Sequence, residues 1–217
     1  MDVFVESSVI WAFVGPERLE PSHKVCVALF EREDLRRHTS RTVEGEVRNS
    51  ERQRNRLYGR LVAHLREGKK PEEFPVNDFP RHVAERARAL VRMIRRAEAD
   101  TEYFRRWVQT EAARVRDAFG RVEQPLISAT TDLYFRDLVQ SALQLTAKDA
   151  WILTDFLLWT GAKEAFFLTL DGALRQAVSD RLDRFLGDQS IVRPESVDYP
   201  RSKCCLTPER FAAEHPP

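Results

Sequence analysis

A chain of 217 residues is long enough for one generous α/β domain, or for a compact domain that carries a large insertion. With 42% hydrophobic and 32% charged residues it is not a disordered chain, and no apolar run approaches the ~18 residues of a membrane span. The net charge of +1 does not announce nucleic acid. Only six of the 35 basic residues are lysine, and arginine's planar fork suits phosphate, but an arginine-rich genome explains the same bias equally well. The opening MDVFVESSVI lacks the basic region and small-residue cleavage site of a signal peptide, so the expected location is the cytoplasm. Cys26, Cys204 and Cys205 have no metal-type spacing and read as buried or half-buried thiols.

Val3-Phe4-Val5 is β-branched and aromatic and predicts a buried strand, followed by a polar turn at Glu6-Ser7-Ser8 and a helix start. Ser22 is placed to cap a second helix with Val25, Leu29 and Phe30 on its inner face. A short second strand is expected over Leu35–Thr39. A helix follows from Thr42, with Val43, Val47, Leu57, Leu61 and Leu65 at helical spacings. The Gly- and Pro-containing segment from Glu67 breaks that pattern. Between Arg81 and Val122 apolar positions recur at three and four, predicting two amphipathic helices, densely charged outside, the second capped at Asp100-Thr101. Residues 124–129 form a short strand or loop, and Asp132–Leu143 a further helix. Thr146-Ala147-Lys148-Asp149 opens a helix over Ala150–Thr160 that Gly161 stops. A strand over Ala165–Thr169, a helix over Ala173–Leu186, a strand over Lys203–Leu206 and a short helix with Pro208 at its first position complete the chain. Strands alternating with helices argue for a parallel sheet covered on both faces.

Ligands of such sheets bind at the carboxyl ends of the strands. Glu6 and Asp171 stand at two such ends, Asp149 opens the helix before the strand that leads to Asp171, and Glu46 lies early in the helix after the second strand. Four carboxylates meeting at one sheet edge repel one another, and a hard cation such as Mg²⁺ or Mn²⁺ relieves that repulsion.

In order and spacing, these segments resemble the PIN-domain family. Glu6-Ser7-Ser8-Val9-Ile10 is similar to the family's opening motif, although the family acid there is Asp and Glu6 is one methylene longer. Val43-Glu44-Gly45-Glu46-Val47, Asp149-Ala150-Trp151-Ile152 and Phe167-Leu168-Thr169-Leu170-Asp171 resemble the motifs that follow, as Leu206-Thr207-Pro208-Glu209-Arg210-Phe211 does the closing strand and turn. The match covers residues 2–65 and 130–213.

The resemblance implies a single PIN-like three-layer α/β/α domain over 1–217 with a central parallel sheet and a helical insertion at 66–128. It implies a metal-dependent endoribonuclease with RNA as substrate. Glu6, Glu46, Asp149 and Asp171 would hold Mg²⁺ or Mn²⁺, and Ser8 or Thr169 would position a ligand or the scissile phosphate. Arg41, Arg48 and Arg175 are the candidates for flanking phosphates. Toxin members of bacterial toxin–antitoxin pairs share these motifs in shorter chains, so an antitoxin, another protein partner or a second copy of the chain enters as a partner class. No membrane partner is expected.

Each motif residue also has a plain reading. Thr146 and Asp149 make an ordinary capping box, Asp171-Gly172 an ordinary turn, and Glu44 competes with Glu46 for one role. Asp155 falls on a different face from Asp149, solvated or capped elsewhere. The helical insertion reads most simply as added scaffold. A PIN-fold binding scaffold with degenerate catalysis and a structure-specific DNA nuclease are the alternative functions.

Overall fold

The structure is a computed structural model describing residues 1–15, 17, 19–96, 100–128, 131–161, 163–188, 190 and 204–217. Its sheet has four strands: β1 (Asp2–Val5), β2 (Arg36–His38), β3 (Ala165–Leu168) and β4 (Cys205–Leu206). They lie side by side in the order β2-β1-β3-β4, every pairing parallel. Of the expected segments, Ala129 and Lys203 fall outside the described residues.

Parallel neighbours need crossovers, and helices supply them. The stretch between β1 and β2 forms α1 (Ser7–Val14) and α2 (His23–Glu31). From β2 to β3 the chain runs through α3 (Arg41–Arg66), α4 (Arg81–Arg95), α5 (Thr101–Gly120), α6 (Leu133–Leu143) and α7 (Ala147–Thr160). Helix α8 (Gly172–Gly187) joins β3 to β4, and α9 (Pro208–Glu214) closes the chain. Helix ends follow the local chemistry. Asp132 caps α6 through the Phe135 N–H at 2.8 Å, Thr207 caps α9 through the Arg210 N–H at 3.1 Å, and Gly161 ends α7 at a φ of 49° that other residues avoid. Ser22 flanks α2 without a side-chain cap bond.

Val3, Phe4 and Val5 are all buried, and successive strand residues point to opposite faces, so both faces of the sheet are covered. On one face Phe4 stacks on its register partner Phe167 with centroids 5.4 Å apart, and both meet Phe156 of α7. On the other, Phe166 packs edge-on against Phe211 of α9 at 5.3 Å. The α/β class with a parallel sheet covered by helices therefore holds. Residues 124–128 form no strand; Ile127 makes one isolated parallel bridge to Ser40.

The fold divides into two compact units, Met1–Glu46 with Ala118–Pro217, and Val47–Asp117. The second overlaps the expected 66–128 insertion without sharing its limits. Its helices are amphipathic, but one charged residue of α5 lies inside: Glu111 is fully buried. It accepts hydrogen bonds from Tyr58 Oη at 3.0 Å and Trp107 Nε1 at 2.8 Å, and Arg86 Nη2 stands 3.5 Å from the same oxygen. Arg86 Nε in turn donates to Tyr58 Oη at 2.9 Å. A buried charge is tolerated only when paired and hydrogen-bonded. Glu111→Ala should therefore lower the unfolding free energy by about 3–5 kcal/mol in urea titration, and a loss under about 1 kcal/mol would show that the network is not structural.

Candidate active site at the carboxyl ends of β1 and β3

Glu6 follows the last residue of β1, and its backbone N–H still bonds the Leu168 carbonyl of β3 at 3.1 Å. The ladder therefore fixes this residue at the sheet edge. Its side chain is 5% exposed. The carboxylate receives hydroxyl hydrogen bonds from Ser7 and Ser8, the Ser8 N–H at 2.9 Å and the Thr169 hydroxyl at 3.2 Å. It is thus also the N-cap of α1, satisfying a helix donor that would otherwise lack a partner.

Ser8 and Thr169 each work in both directions. Ser8 Oγ donates to Glu6 and accepts the Leu170 N–H at 2.9 Å; Thr169 Oγ1 donates to Glu6 and accepts the Asp171 N–H at 3.0 Å. These bonds tie the turn after β3 to the turn after β1. Asp171 sits in that turn, exposed, with one carboxylate oxygen capping α8 through the Ala173 and Leu174 N–H groups at 2.8 and 3.0 Å. Its capping role coexists with a backbone link, through Thr169, to the carboxylate of Glu6.

Glu46 arrives from α3 and Asp149 from the first turn of α7. Both come close to a residue the sequence reading left out, Lys148. Its Nζ lies 2.6 Å from Glu46 Oε1. Burial alone would lower the lysine's pKa, but the Glu46 hydrogen bond and the charges of Glu46, Asp149 and Glu6 outweigh it and leave the value raised. The other oxygen of Glu46 is buried and has no hydrogen-bond partner. Asp149 accepts the Thr146 hydroxyl at 2.7 Å while its N–H bonds back to Thr146 Oγ1 at 3.2 Å, so Thr146 caps α7 and also holds the Asp149 carboxylate. Glu6 interacts electrostatically with both Glu46 and Lys148, and the Asp149 charge acts on the same ammonium group. The signal for Lys148 was its place beside Asp149 in a first helical turn, where a cation is unfavourable without acidic partners. Among the described residues no set of three or more His, Cys, Asp or Glu side chains is already gathered at metal-holding geometry.

The three arginines separate. Arg175 lies in the first turn of α8 and acts, with Glu6, on the Cys205 thiol. Arg41 is exposed at the start of α3. Arg48 belongs to the second compact unit, with Glu51 3.6 Å away. Asp155, expected on another face and solvated or capped elsewhere, is 1% exposed and accepts the Thr42 hydroxyl at 2.7 Å, one of the bonds joining α7 to α3. Burial pushes the Cys26 and Cys205 thiols up to about 12, as suits inert core cysteines.

Burial pushes the Glu6 carboxyl above the ordinary glutamate range, against the Ser7 and Ser8 hydrogen bonds, and the Glu46 charge adds to the rise. A raised folded value means that the folded chain holds this proton more tightly than the unfolded chain does. Stability from this group is present below the ordinary glutamate value and is lost as pH climbs through the raised one. Glu6→Gln should therefore raise the melting temperature in metal-free buffer at neutral pH by about 2–4 °C, and should flatten the fall in stability above the glutamate range. A lower melting temperature for Glu6→Gln would contradict this electrostatic description.

No family model matches the chain, and neither a curated protein nor a solved structure matches it.

Proposed function

We propose that the chain is a PIN-type, metal-dependent endoribonuclease, with Glu6, Glu46, Asp149 and Asp171 as ligands for Mg²⁺ or Mn²⁺. The observation that carries the reading is the coupling of two carboxylates: one oxygen of Glu46 is buried without a hydrogen-bond partner, and the Glu46 charge acts on the more deeply buried Glu6. Buried carboxylate oxygens are costly when left unpaired, and hard oxygen donors suit hard cations. The remaining support is topological: both turns lie at the carboxyl ends of adjacent parallel strands, where α/β proteins bind ligands.

When bound, the divalent ion supplies acidification of the attacking water and neutralisation of charge on the phosphate. The chain's own residues do the rest. Ser8 and Thr169 hold Glu6 at a fixed angle and leave its carboxylate no freedom to turn into the core. The Thr146 hydroxyl fixes Asp149, and the α8 N–H groups fix Asp171, so the acids are oriented before substrate arrives. Arg175, one turn into α8, is the candidate to grip a flanking RNA phosphate. Neither carboxylate of the β1 and β3 turns needs to move for these bonds to form.

A second reading is favoured by one specific observation. Lys148 already satisfies one oxygen of Glu46, as it would in a PIN-fold binding scaffold that no longer turns over. Cleavage of single-stranded RNA in Mn²⁺ separates the two. The enzyme reading predicts hydrolysis that Asp149→Asn reduces about 100-fold or more, the scale on which loss of one charge-stabilising group acts. Equal residual cleavage by wild type and Asp149→Asn contradicts the nuclease and leaves the scaffold. Preferred cutting of flapped DNA in the same assay would assign the centre to a DNA nuclease.

A further inference from the structure

We propose that Lys148 is a resident counter-ion of the acidic cluster that competes with a divalent cation for Glu46 and so sets how readily the site takes up metal. The inference rests on the metal reading above and concerns the regulation of that same site.

Lys148 stands in the first turn of α7, where the unbonded N–H groups of the helix disfavour a cation. Its position is stabilised from outside the helix, by Glu46, 102 positions away in the chain. The ammonium makes one close contact in the cluster, to Glu46 Oε1, and the charges of Asp149 and Glu6 act on it as well. A single ammonium compensates this group incompletely. It leaves the second Glu46 oxygen without a hydrogen bond, and Glu6 still feels the Glu46 charge. A divalent ion carries twice the charge and accepts several oxygens at once, so it answers both deficits.

The lysine is also built to leave. Its side chain is 54% exposed, against 18% for Glu46, so the ammonium can swing into water on its flexible stem while the carboxylate stays behind. The two cations cannot both take Glu46 Oε1. Metal uptake therefore breaks the Lys148–Glu46 pair, and the cost of breaking it is subtracted from the affinity for metal. The freed ammonium then carries an uncompensated positive charge next to the cluster, where a phosphate is the expected substrate group.

The test is calorimetric titration of Mn²⁺ into the metal-free full chain, for wild type, Lys148→Met and Lys148→Arg. Lys148→Met keeps the length of the stem and removes the charge; Lys148→Arg keeps the charge. We expect Lys148→Met to bind Mn²⁺ roughly tenfold more tightly, the order of effect for deleting one unit charge near a divalent ion at a partly exposed site. Lys148→Arg should stay within about threefold of wild type. In EDTA, Lys148→Met should melt below wild type, because the Glu6–Glu46 repulsion has lost its counter-charge, and Mn²⁺ should reverse that order. Wild-type uptake of Mn²⁺ with equal or weaker binding by a folded Lys148→Met overturns the competition while leaving the metal reading in place. Failure of all three proteins to take up Mn²⁺ overturns the metal reading, and the competition with it.

Discussion

The buried carboxylate of Glu6 joins the carboxyl ends of the two central strands. It receives Ser7 and Ser8 from the turn after β1 and Thr169 from the turn after β3, while Ser8 and Thr169 pass their own oxygens on to the backbone of Leu170 and Asp171. A leucine here would leave three hydroxyls and the Ser8 N–H of α1 without this acceptor. The charge that satisfies them must itself sit in a nearly dry place, and burial drives its proton affinity upward. The same residue therefore organises the sheet edge and stores electrostatic cost there.

That cost grows because the Glu46 charge acts on the same carboxyl. A carboxyl whose proton affinity is raised in such a place, as that of Glu6 is, marks a functional candidate. Lys148 relieves part of the repulsion, from a helix end where a lysine is otherwise poorly placed. The second compact unit holds a buried acid of its own. Glu111 takes Tyr58 and Trp107 on one oxygen with arginine alongside, while its other oxygen is buried without a hydrogen-bond partner. A bare buried oxygen is common to both acids, and what sets Glu46 apart is that its charge acts on a second buried carboxylate, Glu6, with a lysine as counter-ion.

Much of this was legible from residue order. Strong apolar runs with clear stops produced the expected strands at Val3–Val5 and Ala165–Leu168, and cap chemistry at Thr146, Asp132 and Thr207 located helix starts to within a residue or two. The segment 124–128 was harder, since its apolar residues belong to a connection with a single bridge to Ser40. Periodicity also hid Glu111 and Asp155, because a charged residue in an amphipathic helix reads as solvent-facing unless its partners are known. Those partners, Tyr58 and Thr42, are 53 and 113 positions away. Lys148 escaped notice for the same reason: its importance lies in a contact with Glu46, not in its own neighbourhood. Local grammar reveals where acids stand along the chain, and only the folded chain reveals which cation stands among them.

The central claim is that Glu6, Glu46, Asp149 and Asp171 can close around one doubly charged ion. Crystals of the full chain soaked in Mn²⁺ test it directly through the anomalous signal of manganese. The account predicts a peak at the carboxyl ends of β1 and β3, with carboxylate oxygens about 2.0–2.6 Å away, the range of hard-cation ligation, and with the Lys148 ammonium displaced from Glu46. Manganese bound only elsewhere, with the Lys148–Glu46 pair intact, would contradict it.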